Sequence, residues 1–133
     1  MKVFVDTNIF LDFALDRDKA DEAEQILRAV IDGQFKGYVA DISLINIAYI
    51  ARKQHSSVEK LLQVMINHYT ILGADNKLFR QAISLDNSDL EDNVQLLLAD
   101  QASCKIIITN DLGFPNENIP VLSSSEFVKH HCL

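Results

Sequence analysis

Apolar and polar positions along the chain fall into short strands and amphipathic helices in regular succession. Val3, Phe4 and Val5 form an apolar run with no polar position between them, the pattern of a strand covered on both faces, and the run ends abruptly in Asp6-Thr7-Asn8. A short helix is expected from residue 8 to about residue 16, with Ile9, Phe10 and Phe13 inward and Asp12 facing solvent. Ala20, Ala23, Ile26, Leu27, Val30 and Ile31 then recur at helical spacing, and Gly33 supplies a stop. Residues 38–40 read as a second strand, after which Ser43 opens a helix with Leu44, Ile47, Ile50 and Ala51 inward and Asn46 in its first turn. Ser56-Ser57-Val58-Glu59 has the form of a capping box, ahead of a helical face of Val58, Leu61, Leu62 and Met65. Residues 69–72 are a third strand, and residues 77–85 a helix holding Leu78, Phe79, Ala82 and Ile83. Beyond the acid-rich stretch 86–92 comes a helix with Val94, Leu97, Leu98 and Ala102, which leads into residues 105–108, a strand as apolar as the first. That strand ends in Thr109-Asn110-Asp111. Residues 120–122 make a fifth strand, and Ser123-Ser124-Ser125-Glu126 caps a last helix to about residue 130.

Strands alternating with helices predict an α/β fold, with helices on both sides of a central, mostly parallel five-stranded sheet and right-handed crossovers. The three-layer α/β/α arrangement takes up residues 1–133 as a single domain, without repeat or linker. At 133 residues and 48% hydrophobic, the chain can bury a proper core without metal or disulfide staples. No apolar run approaches the roughly 18 to 20 residues that span a bilayer, and the chain enters strand pattern directly, without a signal-peptide core. A soluble, cytoplasmic protein with no membrane association is expected. Cys104 and Cys132 read as reduced thiols. The net charge of −7 disfavours a general nucleic-acid coat, because ungrouped acids repel phosphate backbones. The runs Arg52, Lys53, His55 and Arg17, Lys19 read as solvated helix charges.

The candidate chemistry lies in the acids. Asp6 follows the first strand and Asp111 the fourth, while Glu91 and Asp92 open the helix that leads into the fourth. Each has an ordinary structural reading: Asp6 or Thr7 as a helix cap, Asp111 as a turn residue, Asp89 as an N-cap with Glu91 and Asp92 as first-turn charges. Their joint placement asks for more, because two strongly apolar strands, which tend to be central neighbours, deliver aspartates to the same sheet edge. Carboxylates about 4 Å apart repel by roughly 4 kcal/mol near a protein surface, so several together call for a cation. With only oxygen ligands on offer, the expected ion is Mg²⁺ or Mn²⁺ and not zinc. A phospho-acceptor receiver domain, with Asp75 after the third strand, fits less well: it needs paired acids after the first strand and a lysine after the last, and the chain has neither.

Four segments carry a resemblance: Asp6-Thr7-Asn8, Ser43-Leu44-Ile45-Asn46-Ile47-Ala48-Tyr49, Asp89-Leu90-Glu91-Asp92 and Ile108-Thr109-Asn110-Asp111. In order and spacing they resemble the PIN domain, over nearly the whole chain. The resemblance implies a metal-dependent ribonuclease that hydrolyses phosphodiesters of single-stranded RNA, of the kind found as VapC-type toxins in bacterial toxin–antitoxin pairs. It assigns Asp6, Asp92 and Asp111 as catalytic metal ligands, with Thr109 and Asn8 supporting them from behind and Glu91 as an extra acid. It also implies a homodimer and a small antitoxin partner that sets an arginine among the carboxylates. One position departs from the pattern: where most of the family has a helix glutamate, this chain has Asn46, which offers a metal only a neutral oxygen. Either Glu91 supplies the missing charge and the site acts on RNA, or the chain is a catalytically weak or inactive PIN-fold binding module.

Overall fold

A computed structural model describes residues 1–54, 57–115 and 118–132. Five strands and seven helices alternate in it: β1 (Lys2–Val5), α1 (Thr7–Ala14), α2 (Ala20–Ile31), β2 (Lys36–Ala40), α3 (Asp41–Lys53), α4 (Glu59–His68), β3 (Tyr69–Leu72), α5 (Asn76–Ser84), α6 (Leu90–Gln101), β4 (Ile106–Ile108), β5 (Val121–Leu122) and α7 (Ser124–His131). The strand order is β3-β2-β1-β4-β5. Every pairing is parallel, so the sheet is wholly and not just mostly parallel. The two strongly apolar strands are neighbours as expected, with Val3 opposite Ile106, Phe4 opposite Ile107 and Val5 opposite Ile108. They pair so because both faces of the sheet are covered. Val3, Val5, Ile106 and Ile108 enter the core under α1, α2 and α7, while Phe4 and Ile107 enter the core under α5 and α6. The chain leaves β1 toward β2 and β3 on one side and returns to β4 and β5 on the other. That reversal opens a crevice at the carboxyl ends of β1 and β4, where a doubly covered sheet binds ligands.

Several local expectations are corrected. Helix α1 begins at Thr7, because Asp6 caps it, and ends at Ala14. Helix α3 begins at Asp41 and not Ser43, which moves Asn46 into its second turn; the acidic Asp41 favours the helix N-terminus, and its carboxylate accepts from the Ile42 N–H at 2.7 Å. Ser43 instead lies buried inside the helix, its hydroxyl sharing a 2.6 Å hydrogen bond with that of Thr7. Asp12 is buried and not solvent-facing, since it accepts from Asn110 Nδ2 at 2.9 Å and pairs with Arg17 at 3.7 Å. In α5, Leu78 and Ala82 are buried but Phe79 and Ile83 are 40% and 71% exposed. Helix α5 packs on α6 through the Leu78 and Ala82 side and leaves the Phe79 and Ile83 side uncovered. The capping box proposed at residues 56–59 falls partly outside the described residues, and α4 starts at Glu59 after Val58, which makes no side-chain cap. The capping box at Ser123 and Glu126 is present.

Gly37 is required where β2 meets α2 and β3. A Cβ there would stand 2.6 Å from ring carbons of Tyr69 and 2.9 Å from Val30 Cγ1, closer than carbon atoms pack. Among the described residues no helix is long and apolar enough to cross a membrane. Cys104 and Cys132 are free, and burial pushes the Cys104 thiol up to about 11, so it stays protonated and unreactive.

Candidate active site

At the end of β1 the backbone hydrogen bond from Asp6 N to Ile108 O, 3.0 Å, carries the β1–β4 ladder one residue past the strand and sets Asp6 beside Thr109. The Asp6 side chain accepts from Thr7 N at 2.6 Å, as a helix cap would, and its other oxygen accepts from Thr109 Oγ1 at 2.6 Å and Asn8 Nδ2 at 3.1 Å. The capping and ligand readings of Asp6 are therefore not alternatives. One oxygen is committed to α1, and the whole carboxylate is held rigid. Thr109 is the hub behind it: its hydroxyl donates to Asp6 and accepts from Asp111 N at 3.0 Å and Asn8 Nδ2 at 3.3 Å, so that one small side chain fixes both aspartates. Asn110, between them, points the other way and ties the β4 end to Asp12 and to Ser124 of α7.

The third element is α6. Asp89 caps it by accepting from Asp92 N at 3.1 Å. Asn93 fastens its first turn to α5 through Nδ2, which donates to Ala82 O at 3.0 Å and Asn87 O at 2.8 Å, while Oδ1 accepts from Asn87 Nδ2 at 2.9 Å. So anchored, the turn brings carboxylate oxygens of Asp89, Asp92 and Asp111 within 4.8 Å of one another. Glu91 stands on the α3 side, where its Oε2 accepts from Asn46 Nδ2 at 2.7 Å.

Electrostatics show how closely these acids crowd. The Asp92 carboxyl is pushed up to about 8, first by burial, then by a proton shared with Asp111, and by the charges of Asp6, Asp89 and Asp111. Asp6 is also raised, by burial above all, although the hydrogen bonds from Thr109 and Thr7 and the amide of Gln95 act the other way. Glu91 is raised by burial and by the charges of Asp6 and Asp89, against the bond from Asn46. No basic side chain is recorded within ion-pair distance of these acids among the described residues. An oxygen-only cluster whose burial and mutual repulsion disfavour the charged carboxylates is chemically matched to a hard divalent cation. The structure thus gathers Asp6, Asp92, Asp111, Glu91, Asn46, Asn8 and Thr109 at one sheet edge.

Two members were not legible as such. Asp89 read only as a cap, yet the carboxylate that caps α6 also faces Asp92 and Asp111. Gln95, one turn beyond Asp92, is fully buried, and neither its Nε2 nor its Oε1 has a hydrogen-bond partner. The signal for Gln95 was its i+3 spacing from Asp92. Asp75, the receiver-type candidate, is a plain N-cap of α5, accepting from Leu78 N at 2.9 Å.

Residues 2–113 match the model of the PIN domain. The chain belongs to the PIN domain family. Across 134 aligned residues this PIN domain is 28% identical to Ribonuclease VapC1 of Aquifex aeolicus, covering 95% of the chain and 92% of the relative. Its fold is similar to that of a toxin–antitoxin complex chain from Klebsiella pneumoniae, with a TM-score of 0.69 at 20% identity over 92% of this chain and 97% of that one. It is similar also to Mycobacterium tuberculosis VapC20, a sarcin–ricin loop cleaving toxin, with a TM-score of 0.67 at 12% identity over 84% of this chain and 92% of that one. Beside the acid cluster this PIN domain has an open apolar groove of about 780 Å³, lined by Ile42, Ile45, Ile71, Phe79 and Leu90 and bordered by Asp41 and Glu91.

Proposed function

We propose that the protein is a divalent-metal-dependent endoribonuclease that hydrolyses single-stranded RNA, the toxin member of a toxin–antitoxin pair. The observation that carries this reading is the convergence of Asp89, Asp92 and Asp111 within 4.8 Å, beside the rigidly held Asp6, where burial and the neighbouring acids push the Asp92 carboxyl up to about 8. It is supported by membership of the PIN family and by similarity to a curated ribonuclease over nearly the whole length of both chains. The alternative of an inactive binding module is less favoured, since a module that only binds RNA has no use for acids that repel phosphate.

Asp6, Asp92 and Asp111 would hold Mg²⁺ or Mn²⁺, with Asp89 and Glu91 adding negative charge around them. A divalent cation there supplies positive charge to the phosphodiester and lowers the pKa of water at the site. Thr109 and Asn8 keep Asp6 and Asp111 in register, so the carboxylates need no rearrangement. Asn46 does not take the place of the family's usual glutamate as a charged ligand. It holds Glu91, and Glu91 brings the charge. The acid-bordered apolar groove supports a small antitoxin with apolar anchors and a basic residue directed at the cluster.

The test is cleavage of a labelled single-stranded RNA by the purified chain in Mg²⁺ or Mn²⁺. Wild type should cut, and Asp92→Asn should lose at least about a hundredfold in rate while keeping its fold, because the metal-holding charge is gone but the side-chain volume is not. Cleavage that persists in EDTA, or in Asp92→Asn at the wild-type rate, would sink the proposal.

A further inference from the structure

Beneath the acid cluster lies a group that the roles above leave unused. Gln95 is on α6 three residues after Asp92, hence on the same helical face and one turn deeper, and its relative exposure is 0%. Other buried polar side chains are paired: Thr7 with Ser43, Thr109 with Asp6, Asn93 with Ala82 and Asn87, Ser124 with Asn110. Gln95 alone among the fully buried polar residues described has both amide atoms without a hydrogen-bond partner. Its amide lies beside the Asp6 carboxylate. The positions flanking it, Val94 and Leu96, are apolar and buried, so an apolar side chain would suit the position better if packing were all that mattered.

We propose that Gln95 is a positioning residue of the metal site, whose amide turns to donate Nε2–H to the rigidly held Asp6 carboxylate when a cation is bound, and whose Oε1 accepts from a water that enters with the cation. An amide suits this place because it can orient an anion without a charge of its own. A carboxylate there would add repulsion, and a lysine or arginine would compete with the cation. The inference rests on the cation-binding reading of the acid cluster and adds a residue that acts on it through Asp6.

The experiment is calorimetric titration of the full chain with Mn²⁺, alongside thermal midpoints without metal, for wild type, Gln95→Met and Gln95→Glu. Gln95→Met keeps the volume and removes the amide. It should leave the metal-free midpoint unchanged or raised, because an unpaired buried group is lost, and should weaken Mn²⁺ binding about tenfold or more. A midpoint that falls with an affinity within about twofold of wild type would mark Gln95 as purely structural and overturn the proposal. Should Gln95→Met not fold, Gln95→Glu decides: a carboxylate beside Asp6 should lower the metal-free midpoint and enlarge the Mn²⁺-induced rise, whereas a rise equal to that of wild type overturns it. A wild-type protein that binds no Mn²⁺ would remove the metal reading and this inference together. Wild-type binding with an unchanged Gln95→Met affinity removes the inference alone.

Discussion

Asp92 shows at the scale of one residue what the site costs the fold. In the unfolded chain its carboxyl loses a proton near about pH 3.9, but in the folded protein only near about pH 8. Between those values the folded state holds a proton that the unfolded state has lost, so stability falls as pH rises through this window and levels off above it. The metal-free thermal midpoint should therefore decline from pH 5 to pH 8, at roughly 4 °C per kcal/mol for a domain of this size. Mn²⁺ should remove the decline because it replaces the proton, and Asp92→Asn should show a shallower decline, since Asp6 and Glu91 are raised as well, and no metal effect. A metal-free midpoint that is flat or rising over that range would contradict the crowded-acid picture. Asn46 gives the second residue-scale test. Its amide donates to Glu91 at 2.7 Å, so Asn46→Glu sets two carboxylates against each other where a bond had been. Repulsion of up to about 4 kcal/mol for unit charges 4 Å apart near a surface should lower the metal-free midpoint. The same added charge should tighten Mn²⁺ binding in calorimetry. An unchanged midpoint and unchanged affinity would mean that the two side chains do not meet in solution.

Among the elements, α6 carries the most, because its N-terminus delivers Asp89, Glu91 and Asp92 while its body is packed against the sheet. Val94, Leu96, Leu98 and Ala99 are buried, and so are Asn93 and Gln95, so the helix is enclosed on more sides than an amphipathic surface helix would be. This is why the expected face of Val94, Leu97, Leu98 and Ala102 proves incomplete: Leu97 and Ala102 are only half-buried, and polar residues fill core positions. What sets the helix's position is the Asn93 clamp onto Ala82 and Asn87. Asn93→Ala would remove the three hydrogen bonds of a buried side chain, at a cost of about 2 kcal/mol in urea unfolding. Because the clamp also places the acids, the same variant should bind Mn²⁺ more weakly. A loss below about 0.5 kcal/mol with unchanged binding would show that α6 is held by its apolar contacts alone. The capping residues of α6 and α7 were readable in advance, because a side chain that accepts from an N–H three residues on is a local device.

For the whole molecule, the order of strands makes the site. β1 and β4 are separated by a hundred residues of chain but adjacent in the sheet, and their carboxyl ends open at the point where the connections change direction. The amino-acid sequence by itself determined the alternation of strands and helices, the doubly covered apolar strands, the parallel sheet, and the fact that Asp6 and Asp111 must share an edge. These follow from periodicity and from the need to bury apolar side chains, which are properties of local pattern. It also marked Asp92, Glu91 and Asn46, through resemblance of whole segments to the PIN domain. Only the tertiary structure decided that Asp89 turns toward Asp92 and Asp111, that Asn46 grips Glu91, that Asp12 is a buried partner of Asn110, and that Gln95 lies unpaired beneath Asp6. The reason is physical: a helix periodicity says that one face is buried but not against which polar group. Hydrogen bonds between residues 45, 98 or 103 positions apart leave no trace in local composition. The free energy of such a pair depends on burial and mutual orientation, which exist only once the sheet has closed the distance.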